Sequence, residues 1–173
     1  MRNFRQLLEL PDYITLLSAA SGMFSIICSM AGNYTVAAWL MIVSVVFDRA
    51  DGHIARLIDR REKDFGREID SLSDCLAFGV APAVFGYALG LKDGFSILVL
   101  IFFVSAAILR LARNNVQGTD KDHYQGMNVA YNGIIFPSIY FIRLNLPFHL
   151  GQFVPVYLLT GLLMLSSIKW KKI

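Results

Sequence analysis

Charge is missing from long continuous stretches of this sequence, and that restricts its folding more than any other feature. Residues 13–30, 34–47, 75–91, 94–109, 124–142 and 144–168 contain no Asp, Glu, Lys or Arg. A membrane helix needs about 20 largely apolar residues. Several of these runs reach that length only when the neighbouring polar turns are added. Six transmembrane helices are therefore expected, near 11–31, 33–58, 66–90, 93–115, 127–145 and 151–170. Only 17% of the residues are charged, against about 25% in an ordinary soluble domain. A soluble bundle of this composition would have no polar helix faces to cover its outside. The fold class is all-α, a polytopic membrane protein.

The basic residues give an orientation. With six spans and the N-terminus inside, Arg2, Arg5, the cluster from Arg49 to Arg67, Arg110, Arg113, Lys121, Lys169, Lys171 and Lys172 fall on the cytoplasmic side. Only Lys92 and Arg143 fall outside. This is the asymmetry of the positive-inside rule, so the net charge of +3 reflects topology and calls for no nucleic-acid partner. The opening MRNFRQLLEL sets Phe4, Leu7 and Leu8 on one helical face and Arg2 and Arg5 on another. Residues 1–10 are expected as an interfacial amphipathic helix, and 11–173, entered at Pro11, as one six-helix membrane domain. "SAAS" comes too early in the first apolar run to follow a signal-peptide core, so no processing is expected. Cys28 and Cys75 lie inside predicted spans without ligand spacing and read as packing residues.

Against this background, residues 48–74 stand out: Asp48, Asp51, Asp59, Glu62, Asp64, Glu68, Asp70 and Asp74 make up eight of the thirteen acids. Asp48, Asp51, Gly52, Ala55 and Arg56 share one helical face, and so do Gly66, Asp70 and Asp74. A short loop between the two helices brings four aspartates together near the cytoplasmic surface. An ionised Asp at mid-membrane costs roughly 2.5–3.5 kcal/mol on insertion scales, and mutual repulsion adds to that. One or two divalent cations relieve both costs, and oxygen donors suit Mg²⁺ or Mn²⁺. A solvated charged loop accounts for Asp59, Glu62, Asp64 and Glu68 but not for four aligned aspartates. Gly52, Ala55 and Gly66 leave space beside the acids, and Arg56 supplies a fixed positive charge for a phosphate. Together these parts point to metal-assisted chemistry on a phosphate ester or anhydride.

The stretch Asp48-x-x-Asp51-Gly52-x-x-Ala55-Arg56, nine residues, then Gly66-x-x-x-Asp70-x-x-x-Asp74 resembles the signature of the CDP-alcohol phosphotransferase family. All eight defining positions are present. The resemblance implies six transmembrane helices after an N-terminal interfacial helix, a homodimer and two bound divalent metals. "REKDFGREIDSLSDCLAFGVAPA" and "RLARNN" are similar to segments of the phosphatidylserine synthase branch. That likeness implies CDP-diacylglycerol, or its archaeal counterpart CDP-archaeol, as donor and L-serine as acceptor, with CMP released. It also implies roles. Asp48, Asp51 and Asp70 hold the metals, and Asp74 completes the site and takes the serine hydroxyl proton. Gly52 and Ala55 leave room for cytidine, and Arg56 contacts the diphosphate, with Lys63 as a second candidate.

Asp12 and Thr15 either border the nucleotide or form an ordinary helix start. Arg110 and Arg113, three residues apart, either bind the serine carboxylate or act as positive-inside anchors. Asn114, Asn128 and Asn132 are polar enough to join the acceptor pocket. His53, His123 and His149 form no cluster and receive no ligand role. Gly79, Ala83, Gly86 and Gly90 have the spacing of close helix packing or a dimer contact, and Pro82, Pro137 and Pro155 are potential kinks. A sister enzyme using glycerol 3-phosphate or inositol phosphate is the nearer alternative. A divalent-cation transporter is the distant one, and it fits poorly because the acids gather at one end of the bilayer.

Overall fold

The computed structural model describes residues 8–58, 63–117, 123–146 and 150–171. Among these, six helical rods account for nearly all regular structure. The first is α1 (Leu10–Met30), and a turn with Gly32 at φ +80° leads to the second, α2 (Tyr34–Leu57). The third begins as α3 (Lys63–Asp74), loosens into a π-turn (Cys75–Val80) and ends as α4 (Ala81–Leu89). The remaining rods are α5 (Gly94–Gln117), α6 (Asn132–Asn145) and α7 (Phe153–Leu165). Short 3-10 turns, Val129–Tyr131 and Leu150–Gln152, precede the last two.

Leu10–Met30, Asp64–Leu89 and Gly94–Val116 are long and apolar enough to cross a membrane. The molecule is an integral membrane protein, and its surface shows it. Phe24, Ile27 and Met30 on α1, Trp39 and Val46 on α2, and Phe95, Leu98 and Ile101 on α5 are exposed, whereas Ser18, Ser21, Ser25, Ser29 and Ser44 are buried. This reverses the arrangement of a water-soluble bundle. Small polar residues let membrane helices approach and hydrogen-bond across the gap. Here the Ser18 hydroxyl donates to the Ser44 carbonyl and the Ser25 hydroxyl to the Ala37 carbonyl, each at 2.9 Å, closing α1 onto α2.

The sequence suggests one third helix over 66–90 with a potential kink at Pro82, and the rod is interrupted between the acids and that proline. Proline has no N–H to give the carbonyl four residues back, which is that of Phe78. In a lipid setting this carbonyl needs a donor from elsewhere, and Asn132 Nδ2 supplies it at 3.2 Å. Asn132 is therefore a buried strut of the fold. The Tyr157 hydroxyl donates to the Pro82 carbonyl at 2.6 Å from the opposite side. Two glycines admit neighbours to the π-turn: a Cβ on Gly22 would lie 2.7 Å from Ala77 Cα, and one on Gly133 2.8 Å from a Phe78 ring carbon. Below the turn, Phe103 meets Phe136 and Tyr157 edge-on, and the last two stack with centroids 4.0 Å apart.

The last helix is expected to run to residue 170 but ends at Leu165. The Arg113 guanidinium, on α5, donates to the carbonyls of Met164, Leu165 and Ser166 at 3.2–3.4 Å. Those orphan C-terminal carbonyls are thus satisfied, and the chain departs as β2 (Lys169–Lys171). It pairs antiparallel with β1 (His123–Gln125), His123 opposite Lys171. Among the described residues this is the sole strand pairing, and the fold remains all-α as expected. The interfacial segment ahead of residue 8, with Arg2, Arg5 and Phe4, lies outside the described residues, as do Asp59, Glu62, Lys121, His149 and Lys172.

Candidate active site

The acids collect at the end of the molecule where α1 starts and α2 and α5 finish. α1 packs against both α2 and α3 and so fixes the cleft between them. The Ser73 hydroxyl donates to the Thr15 carbonyl at 2.9 Å, pinning α3 to α1 one residue before Asp74. Asp48 from α2 and Asp70 and Asp74 from α3 offer carboxylate oxygens that all lie within 4.8 Å of one another. Oxygens around a Mg²⁺ at about 2.0–2.1 Å are about 3 Å apart in cis and about 4 Å apart in trans. A small contraction would complete such a cage, and an all-carboxylate donor set is the chemistry of a hard divalent cation. The three residues fit a metal. Asp51, 4% exposed, is not in this trio and lines the cavity beside it.

That first cavity, about 300 Å³, is walled by Pro11, Thr15, Asp51, Gly52, Ala55, Gly66, Arg67 and Asp70. A second, also about 300 Å³, shares Arg67 and Asp70 with the first and is walled by Asp48, Arg67, Asp70, Ser71, Asp74, Arg110, Leu111, Asn114, Asn115 and Asn128. The small residues foreseen next to the aspartates therefore face open space. A Cβ on Gly52 would meet nothing within 4 Å.

The basic residues separate clearly. Arg110 is 3% exposed and faces the second cavity, where it attracts Asp74. Arg113, one turn on, is engaged by the end of α7. Arg56 is exposed, bonded through Nε to the Gly52 carbonyl at 3.0 Å, and lines neither cavity. Lys63 is the first residue of α3. Asp12 takes part in a capping box with Glu9, whose N–H donates to its Oδ2 at 2.8 Å, while Thr15 borders the first cavity. Asn114 and Asn128 line the second cavity, and Asn128 also caps the turn before α6 by accepting from the Ala130 N–H.

Three further residues, Arg67, Ser71 and Asn115, belong to the site without a site role expected from the sequence. Arg67 lines both cavities, and its spacing of three and seven residues from Asp70 and Asp74 is the signal that would have found it. Asn115 accepts from the Ser71 hydroxyl at 2.9 Å and donates to Glu68 at 3.2 Å, bracing α5 against α3. Nothing in the local sequence marks Ser71 and Asn115 as partners 44 residues apart.

A family model described as CDP-alcohol phosphatidyltransferase matches residues 8–168. The chain belongs to this family. Among similar members is the archaetidylserine synthase of Methanothermobacter thermautotrophicus, 33% identical over 172 residues, covering 96% of this chain and 71% of that protein. The CDP-diacylglycerol–serine O-phosphatidyltransferase of Saccharomyces cerevisiae is 36% identical over 147 residues, 80% of this chain and 51% of its own length. The Helicobacter pylori protein of the same name is 32% identical over 168 residues, covering 92% and 70% respectively. The chain thus spans most of the archaeal and Helicobacter relatives and about half of the yeast one.

Proposed function

We propose that this chain transfers the phosphatidyl group of CDP-diacylglycerol, or the corresponding group of CDP-archaeol, to L-serine, releasing CMP in phospholipid biosynthesis. The observation behind this reading is the pair of cavities that share Asp70 of the acid cluster. The cavity walled by Gly52, Ala55 and Gly66 takes the cytidine diphosphate end of the donor. The other offers a buried guanidinium, Arg110, to a carboxylate, and the amides of Asn114, Asn115 and Asn128 to the rest of a small polar acceptor. The names of the similar proteins support serine as that acceptor.

In the reaction, the serine hydroxyl oxygen attacks the phosphorus bearing the lipid. The bond from that phosphorus to the bridging oxygen breaks, and CMP leaves with the electron pair. The Asp74 carboxylate, on the acceptor side, takes the hydroxyl proton. Asp48, Asp70 and Asp74, with Asp51 reaching in from the first cavity, would hold two divalent cations, Mg²⁺ or Mn²⁺. When bound, these would clamp the diphosphate and neutralise charge on the departing phosphate. The protein's own share is positioning and fixed charge. In this reading the six rods all span the cell membrane, residues 1–10 lie along its surface, the site faces the cytoplasm, and the protein is a homodimer.

Purified protein in detergent, given CDP-diacylglycerol and Mg²⁺ or Mn²⁺, is to be offered serine, glycerol 3-phosphate or inositol phosphate in parallel. Serine-dependent CMP and phosphatidylserine, read by mass spectrometry, are the expected products. Asp74→Asn should lower that rate by about 10²–10⁴-fold without loss of folded protein. Product with a phosphorylated alcohol alone would refute serine as acceptor and leave the family unchanged.

A further inference from the structure

We infer that Arg67 is a catalytic residue of this reaction, its guanidinium binding the non-bridging oxygens of the phosphoryl group under attack. The inference rests on the function proposed above and adds a residue to its site. Among the described residues, only Arg67 and Asp70 belong to the walls of both cavities. Attack and departure at phosphorus occur roughly in line, with the incoming and leaving oxygens on opposite sides. If the nucleotide fills one cavity and the acceptor the other, the phosphorus between them sits where the cavities meet. One shared group is a carboxylate of the metal trio. The other is a cation with a planar fork of donors, suited to two oxygens of a phosphate.

Three other described arginines near the site are poorly placed for this task. Arg56 is bonded to the Gly52 backbone and lines neither cavity, Arg110 lies in the second cavity, and Arg113 is bound to the α7 terminus. Among the described residues, Arg67 is held only lightly. Its Nη2 pairs at 3.0 Å with Asp64, three residues earlier, a carboxylate with 93% of its side chain exposed. Exposed pairs of this kind are weak, so the guanidinium can exchange Asp64 for a substrate phosphate at little cost. The spacing 67, 70, 74 puts it on the same face of α3 as the acids.

CDP and CMP differ by the one phosphate that Arg67 should touch, and their binding can be measured without acceptor or turnover. The full chain in detergent with Mn²⁺ is titrated with each nucleotide by calorimetry. Wild type should prefer CDP. Arg67→Ala should weaken CDP by about 10–100-fold, the usual loss for a charge-assisted hydrogen bond, and leave CMP within about twofold. Turnover with CDP-diacylglycerol and serine should fall by about 10²–10³-fold with the KM for serine little changed, and Arg67→Lys should recover part of it. Asp64→Asn should leave CDP binding intact.

Equal weakening of CDP and CMP by Arg67→Ala would make the residue a support for α3 and overturn the inference. A raised KM for serine with unchanged CDP binding would move Arg67 to the acceptor pocket and overturn it as well. So would Asp64→Asn reproducing the CDP loss. Wild-type protein that binds neither nucleotide would refute the nucleotide assignment of the first cavity and this inference with it. Normal wild-type binding that is indifferent to Arg67 refutes the inference alone.

Discussion

The two cavities that meet at Asp70 have about the same volume and are built in opposite ways. The first is defined by what its residues lack: Gly52, Ala55 and Gly66 make room by having almost no side chain. The second is defined by what its residues carry: Arg110, Asn114, Asn115, Asn128 and Ser71 present charge and amides. A cavity of the first kind suits a large ligand already held elsewhere, which for the proposed donor would be by its diphosphate. One of the second kind must capture a small ligand by its polar groups alone. Substitutions should therefore damage the first cavity by adding atoms and the second by removing them.

Gly52→Leu is the sharpest way to test that contrast. A Cβ at Gly52 has open space, so the variant should fold, with its branched end in the cavity. Nucleotide affinity is expected to drop by about 100-fold, in line with the several kcal/mol cost of forcing atoms into occupied space, while the KM for serine stays near wild type. Calorimetry with CDP and steady-state kinetics read the two halves separately. A rise in serine KM of the same size would erase the distinction between the cavities.

Arg110→Leu should produce the complementary pattern on a smaller scale. Removing the carboxylate's partner is expected to raise the serine KM by about 10–50-fold, the range of a charge-assisted hydrogen bond, with CDP binding unchanged. Loss of CDP affinity instead would place Arg110 on the donor side. Asn115→Ala should have the smallest effect. It removes the brace to Ser71 and Glu68, worth about 1 kcal/mol of stability. Thermal unfolding in detergent should show a drop of a few degrees, and turnover should fall less than in either variant above.

The same contrast governs how much of the molecule could be read from its sequence. The acids and most of the first cavity's wall come from two helices adjacent in the chain, where a period of three to four residues exposes a common face, so the grouping of Asp48, Asp70, Asp74, Gly52 and Ala55 is legible. Arg67 obeys the same period, but a basic residue at the membrane surface already has an explanation in topology, which hides its place in the cavity walls. The second cavity is assembled from α2, α3, α5 and the segment before α6, and no local pattern records such a meeting. Arg113 shows the limit well. It matches Arg110 in type and sequence setting, and only the folded end of α7, some 50 residues away, distinguishes them. The stop of α7 at Leu165 depends on the same contact and has no Gly or Pro to announce it. Pro82 did signal a disturbance, but the π-turn and the Asn132 amide that supports it required the partner helix to be in place.

That π-turn also constrains how the chain can vary in length. A π-turn holds one residue more than α-helix uses for the same number of turns, and one residue of α-helix is about 100° of rotation. The turn between Cys75 and Val80 therefore absorbs a surplus residue without changing the angle between the acid-bearing face of α3 and the packing face of α4. Losing one residue there would yield a more regular helix with both faces still in register. Winding all six residues as α-helix would instead turn Asp70 and Asp74 away from Asp48, or Pro82 and Gly86 away from Tyr157, by about 100°. The residue count of this segment and its π geometry are thus tied to each other.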